Sequence, residues 1–423
     1  MEDLVKHNLN NNPNQTTFKN TLLLDVSRRH MSKEEIIDLL TNVDPDIFQQ
    51  VQLHLTDNEG FSININSILM SPVFDGNTNG WLSISDIIEI VMVAFKLGIS
   101  IIIDIDVPAH SKALIQDIKK ITNINFYMDD TTLDYTNEWT QQLLVNIFSF
   151  VSSGLATLPV NYFLGFDEIP GNVANANDLS NLLNRIYNVV SNGKNTISIW
   201  NDSLNSSILP NLNKNINIVY WRDTDGNTFR DLLKSKNKII NAFEDDYYFN
   251  CSDINNTDYI DSRLKSFDLN VSNLVALWGE NSLQGLTNNN LCSFITRLCD
   301  SLSNKETIYD SLNTPLLKGY TDNTGFHDSL TDVSTDFIQV NSKDTYDVSF
   351  KGTYPQDGIT RILLYDNNKA FIENYYEQRN LDSNGTVELT NLPENTAYIR
   401  ATRYTAANEG SANDRIIVTQ YTK

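Results

Sequence analysis

The sequence predicts an α/β fold, a (β/α)8 TIM barrel followed by a small all-β sandwich domain. Three observations carry this. Eight short apolar runs recur between about residues 18 and 310, most of them separated by helical patterns. Continuous apolar runs suit parallel strands covered on both faces, and eight of them suit a closed barrel. After about residue 320 the pattern changes to alternating apolar and polar residues, as antiparallel sheets require.

The elements follow in order. "TLLLDVS" (21–27) reads as a strand, and "SKEEIIDLLTNV" (32–43) as a helix with Ser32 as N-cap and Glu35 completing a capping box. The strand "VQLHL" (51–55) comes next, then an amphipathic helix around 84–97 that again starts at a serine. "SIIIDID" (100–106), a helix within 137–155, "VNYFLGFD" (160–167) and a helix within 176–191 continue the alternation. "TISIW" (196–200), "NINIVYW" (215–221), "KIINAF" (238–243) and "LVALW" (274–278) supply the remaining strands, and "LCSFITRLCDSL" (291–302) a closing helix. "TYDVSFKGTY", "TRILLYD", "GTVELTN", "AYIRATRYT" and "RIIVTQYT" form the sandwich, divided by turn signals such as "PQDG" and "DSNG". The expected division is a polar N-terminal extension over 1–17, a barrel over 18–317, a linker within 318–332 and a sandwich over 333–423.

Composition narrows the function. The chain carries 31 Lys and Arg against 53 Asp and Glu, a net charge of −22. This argues against nucleic acid and anionic membrane as partners and suits a neutral or cationic one. Cys251, Cys292 and Cys299 make no CxxC pair and no disulfide framework, and no His/Cys cluster has zinc spacing. No metal or cofactor is expected. The Asn-rich start "MEDLVKHNLNNNPNQTTFKN" lacks the apolar centre of a secretory signal. No apolar run is long enough to span a membrane. The expectation is a protein made in the cytoplasm that acts outside the cell after lysis or as part of a phage particle.

In a parallel barrel the chemistry sits at the C-terminal ends of the strands. Arg28 follows the first strand, and His54 and Asp57 end the second. Asp104, Asp106 and His110 end the third, and Asp167 and Glu168 the fourth. Trp200, Asn201 and Asp202 end the fifth and Trp221 the sixth, Tyr247 and Tyr248 follow the seventh, and Trp278 and Glu280 end the eighth. The stretch "YFLGFDEIPGN" (162–172) sets a hydrophobic run directly against two adjacent acids. Each carboxylate there loses hydration and raises the other's pKa.

Eight motifs, in order and at the expected strand ends, resemble family 20 glycoside hydrolases, the β-N-acetylhexosaminidases: "LLLDVSRRHMSKEEI", "LHLTDNEGF", "IDIDVPAHS", "LGFDE", "WNDSL", "VYW", "YYF" and "LWGE". The likeness is greatest to the dispersin type, which cleaves poly-β-1,6-N-acetylglucosamine, a biofilm exopolysaccharide. It does not extend to the sandwich, for which glycan binding or anchoring to a particle or cell surface is expected.

The resemblance implies substrate-assisted retaining catalysis, in which the acetamido oxygen of the substrate is the nucleophile. It makes Glu168 the acid and then the base, Asp167 the anion that orients the acetamido N–H, and Tyr248 the donor to the acetamido oxygen, with Tyr247 the alternative. Trp200, Trp221 and Trp278 would wall and floor the sugar site, and Arg28 and Glu280 would clamp hydroxyls of the sugar farthest from the cleaved bond. Asp57 and His110 would support the acid pair from behind. Crowding of the two carboxylates would keep Glu168 protonated before turnover. Phe163 and Phe166 stand where the family usually has a His and a Gly, and Arg29 where a His is common.

The partner these features imply is a β-linked N-acetylglucosamine polysaccharide. A partly deacetylated, cationic polymer would be drawn to the acidic chain. N-acetylglucosamine of cell-wall or teichoic-acid origin, and a non-catalytic glycan-binding barrel, are the alternative readings.

Overall fold

The computed structural model describes residues 19–421 apart from 66–80, 172–173, 192–194, 225–231, 233, 251–253, 255–259, 261–262, 265–271, 280–286, 304, 311–315, 319, 323, 328–331, 352–358, 380–385 and 405–414. The expected extension over 1–17, Cys251 and Glu280 therefore lie outside the described residues. The chain divides into two compact units, one over 19–260 and 271–300, the other holding 301–423.

The first unit is built on one curled parallel sheet. Its strands are β1 (Thr21–Asp25), β2 (Gln50–His54), β3 (Ser100–Val107), β4 (Val160–Gly165), β5 (Ile197–Trp200), β6 (Ile216–Tyr220), β7 (Ile239–Asn241), β8 (Tyr248–Asn250) and β9 (Leu274–Trp278). They lie in the order β7-β6-β5-β4-β3-β2-β1-β9-β8. A parallel bridge between Asn241 and Asn273 brings β7 to the start of β9, and the Asn241 N–H donates to the Ser272 carbonyl at 2.9 Å. Farther along, Tyr248 of β8 pairs with Ala276 of β9. The expected seventh strand (238–243) is thus shortened to β7, a ninth strand, β8, forms from residues expected only to follow it, and the sheet curls into a TIM-like barrel.

Helices α1 (Lys33–Leu40), α2 (Ile84–Lys96), α3 (Lys112–Ile121), α4 (Glu138–Gly154), α5 (Ala176–Val190) and α6 (Asn288–Ser303) cover it. Ser32 and Glu35 make the expected capping box of α1, and Ser83 and Asp86 make the same box for α2. The apolar faces of these helices bury Ile36, Leu39 and Leu40 on α1, and Ile87, Ile90 and Val91 on α2. Helix α3, whose apolar residues are diluted by three lysines and an aspartate, has no counterpart among the sequence expectations.

The register places Asp25, His54, Asp104 and Phe163 side by side at one level of the barrel. Side chains paired across parallel strands point to the same face, so the β1–β3 side carries acids and an imidazole at this level. Phe163 belongs instead to a buried apolar cluster with Trp200, Val219, Trp221, Ile240 and Ala276, and beyond Phe163 the level continues through Ser198 and Asn217.

The second unit holds two antiparallel sheets. One orders strands 305–310, 415–421, 345–351 and 386–389; the other is built around 398–404, 359–365 and 371–379. Alternate residues such as Val348, Phe350, Ile362, Leu364, Ile399 and Val418 form its core, as the period of two predicted. The boundary needs correction. Strand 305–310 already pairs with 415–421, and the stretch expected to be a linker contains the hairpin 320–322/325–327. Short polar strands such as "KETIYD" do not stand out from loop sequence, because their pairing partner lies more than a hundred residues away.

Candidate active site

The turn after β4 that carries Asp167 and Glu168 is held in an unusual backbone path. Gly165, Phe166 and Glu168 all have left-handed φ, +70°, +68° and +50°. For a non-glycine residue that conformation costs about 1–3 kcal/mol. Specific hydrogen bonds hold it. Phe166 N–H donates to the Val107 carbonyl at 3.1 Å, Glu168 N–H to Asp202 Oδ2 at 2.8 Å, and Ile169 N–H to Ser203 Oγ at 2.9 Å. A left-handed φ at 166 explains why a glycine suits this place. Phe166 offsets the strain by burying its ring almost completely. Gly165 has no such freedom, since a Cβ there would stand 1.8 Å from Asp106 Oδ1.

This path sends the two acids in different directions. Asp167 turns inward with side-chain exposure of 15%, and its Oδ1 is buried without a hydrogen-bond partner. Burial pushes its carboxyl up to about 6, against the pull of His110 and with help from the negative charge of Asp202. Glu168 turns outward and is 47% exposed, with Oε2 3.5 Å from His110 Nε2 and Oε1 accepting from Arg222 Nη2 at 2.9 Å. The contact with His110, opposed by partial burial and assisted by Arg222, holds Glu168 below the usual carboxylate range. The expectation that crowding keeps Glu168 protonated is therefore reversed. Two cations face Glu168, and the desolvated partner is Asp167.

Behind the pair runs a chain of charges on the β1–β3 side. His110 Nε2 lies 3.5 Å from Asp167 Oδ2 and its Nδ1 3.5 Å from Asp57 Oδ1. Burial opposes a charge on His110, but Asp167, Asp57 and Glu168 around it raise its pKa. Asp57 also meets His54 Nε2 at 2.9 Å and Arg28 Nη2 at 2.7 Å. Burial works against its charge, yet His110, His54 and Arg28 hold it well below the carboxylate range. His54 continues through Nδ1 to Asp104 at 2.8 Å. Asp57 and His110 therefore stand directly behind the acid pair.

His54, Asp57 and Asp106 bring ligand atoms within 4.8 Å of one another, as do Asp106, His110 and Asp167. The surrounding acids favour the protonated form of both imidazoles, and a protonated imidazole has no lone pair for an ion.

Arg28 is tied to three carboxylates, Asp25 at 2.8 Å, Asp57 at 2.7 Å and Glu59 at 3.3 Å, and its guanidinium lies 5.4 Å from the Trp278 ring centroid. The neighbouring Arg29 pairs instead with Glu35 of α1 at 3.1 Å.

The aromatic half is continuous. Trp200 is almost fully buried as a floor, and Phe163 packs against it with ring centroids 4.9 Å apart. A phenyl at 163 thus supports the indole where a His would have added a polar group. Trp221 and Tyr248 stack in parallel, 5.8 Å apart with 5° between planes, and Trp278 meets Tyr248 edge-on at 5.6 Å. His54 touches Trp278 at 5.2 Å, joining the two halves. Burial and the charge of Asp167 hold the Tyr248 hydroxyl well above its ordinary pKa, so it stays a donor. Tyr247 is buried, and its hydroxyl accepts from Asn241 Nδ2 at 3.3 Å, which leaves Tyr248 as the tyrosine of the aromatic wall.

Two residues matter more than their sequence signal. Asp202 accepts from Glu168 N–H and from Trp221 Nε1 at 3.0 Å, tying the turn after β4 to the aromatic wall. Arg222 follows Trp221 and contacts Glu168 directly. Asp202 stood in a matched strand-end motif and could have been chosen. Arg222 had only its place after a strand.

A parallel barrel that presents adjacent carboxylates beside a wall of indoles is the arrangement of a barrel glycosidase. Residues 20–169 and 170–278 match the model of glycosyl hydrolase family 20, catalytic domain. The chain belongs to that family. It is 26% identical over 180 residues to a β-hexosaminidase of Vibrio furnissii, a match spanning 36% of this chain and 29% of that protein. Among solved structures, the pneumococcal virulence factor StrH is similar with a TM-score of 0.57 at 14% identity, over 70% of this chain and 84% of that one. Dispersin B gives a TM-score of 0.56 at 19% identity, over 67% and 98%. At these identities the structural likeness speaks for the fold.

Proposed function

We propose that the chain is a β-N-acetylhexosaminidase that hydrolyses β-linked N-acetylglucosamine with retention of configuration. The observation that carries this is the divergence of Asp167 and Glu168. One acid is sunk close enough to Tyr248 of the aromatic wall to act on its hydroxyl, and the other is half exposed. In the proposed reaction Glu168 gives a proton to the glycosidic oxygen as that bond to the anomeric carbon breaks. The substrate's acetamido oxygen forms the new bond, giving an oxazolinium ion. Asp167 accepts the acetamido N–H and balances its positive charge. Water then attacks the anomeric carbon, Glu168 takes its proton, and the acetamido group re-forms.

The reactive charge state has Glu168 protonated and Asp167 ionised, the reverse of their resting order. The active form is therefore a minority species. The finer reading is a depolymerase of poly-β-1,6-N-acetylglucosamine acting outside the cell. It is supported by the dispersin-type motifs and by a net charge of −22 that would attract a partly deacetylated polymer. The second unit would anchor the enzyme or bind glycan. Release of product from an aryl N-acetyl-β-glucosaminide tests the activity. Cleavage of defined β-1,6 but not β-1,4 oligomers would support the finer reading, and the opposite preference would overturn it.

A further inference from the structure

Arg222 makes the shortest contact to the carboxylate of the proposed acid among the described residues, with Nη2 2.9 Å from Glu168 Oε1. The same nitrogen lies 3.5 Å from Asp202 Oδ2, and the guanidinium carbon lies 3.9 Å from the Trp221 ring centroid. Trp221 is itself fixed through Nε1 to Asp202. The cation is thus seated on a held indole and aimed at one oxygen of Glu168. We propose that Arg222 is a positioning residue for Glu168: it grips Oε1 as an ion pair and so leaves proton delivery to Oε2. This rests on the reading of Glu168 as the acid.

The chemistry follows from the donor inventory. A guanidinium only donates, so a proton on Oε1 would face a donor at 2.9 Å, whereas the donor nearest Oε2, His110 Nε2, stands back at 3.5 Å and a proton there leaves Oε1 free to accept from Arg222. The same grip favours the charged form of Glu168, so Arg222 orients the acid while resisting its protonation. Among the described residues, the other charged groups around Glu168 are His110, following β3, at 3.5 Å from Oε2, Asp167 on the same turn, and Asp202, following β5, which holds its N–H. Asp57 and Asp106 stand behind His110 and Asp167. The positive charge of His110 is shared with Asp57 and Asp167, whereas Arg222 meets Glu168 and, at the longer distance of 3.5 Å, Asp202.

The test is the pH profile of kcat/KM for Arg222→Gln and Arg222→Lys, with the Glu168 carboxyl followed by carbon NMR and assigned by difference from Glu168→Gln. In a pair whose reactive form is the reversed one, the lower limb reports Glu168 and the upper limb Asp167. Arg222→Gln should move the lower limb and the NMR titration up together by about one pH unit, the low end for loss of an opposite charge within contact. Arg222→Lys should leave both near the wild-type position. A uniform loss of activity with both titrations unmoved would overturn the proposal. An NMR shift with an unmoved limb would overturn it too, and would place the failure in the assignment of Glu168 as the acid.

Discussion

The Glu168 N–H donates to Asp202 Oδ2 at 2.8 Å, and the other oxygen of Asp202 takes the indole N–H of Trp221 at 3.0 Å. One carboxylate therefore fixes both the proposed acid and a wall of the proposed sugar site. Asparagine at 202 would keep only one acceptor oxygen, so one of the two donors loses its partner. Asp202→Asn should destabilise the fold by about 1–3 kcal/mol. It should lower kcat/KM by roughly 10–100-fold, the scale of a small misplacement of catalytic groups. Urea unfolding and steady-state kinetics check the two numbers, and unchanged kinetics would remove Asp202 from the site.

Glu168→Gln should remain folded and lose about 10²–10⁴-fold in kcat. The loss should be smaller with an activated aryl leaving group, which departs without much protonation, than with a disaccharide. Equal losses on both substrates would count against Glu168 as the proton donor.

Asp167 carries a stability cost. Its folded pKa, about 6, stands above the ordinary 3.8 because the carboxyl is buried. The folded state then binds a proton more tightly than the unfolded state between those values. The contribution of Asp167 to stability is highest below about pH 4 and falls as pH rises through about 6, by on the order of 3 kcal/mol. Asp167→Asn removes that dependence. The variant should gain stability over wild type at pH 7.5 but not at pH 4, while losing turnover at both. Chemical denaturation at the two pH values is the check, and an equal effect at both would contradict the assigned shift.

The same titration shapes activity. Above about pH 6 both acids are ionised and the pair holds no proton to give, so kcat/KM should fall with an upper limb near 6, attributed to Asp167. An alkaline optimum on an unactivated substrate would contradict this.

Gly165→Ala puts a Cβ 1.8 Å from Asp106 Oδ1 at a residue whose φ is +70°. The left-handed conformation alone costs about 1–2 kcal/mol, and Asp106 has to move from under the turn. Both a lower melting temperature and lower kcat should follow. A wild-type melting temperature would mean that the turn relaxes freely.

Much of this site was legible in the chain. Asp167, Glu168, Tyr248 and the three tryptophans follow short apolar strands, and a parallel barrel gathers such residues at one end. Arg222 was not legible, because its partner sits 54 residues earlier on another strand end and an Arg after a strand is ordinary. The charge of Glu168 was misjudged for a related reason. Adjacency to Asp167 is visible in the chain, but the reach of His110 and Arg222 to the same carboxylate is tertiary. The start of the second unit was hidden because strand 305–310 takes its meaning from residues 415–421.

The central claim is that the substrate's own acetamido group is the nucleophile, with Asp167 and Glu168 serving it. The most direct measurement compares kcat/KM for an aryl N-acetyl-β-glucosaminide with that for its 2-hydroxy analogue on the full chain. The account predicts rapid hydrolysis of the first and, for the second, a loss of about 10³-fold or more, the scale of a missing well-placed nucleophile. Comparable hydrolysis of both sugars would contradict it.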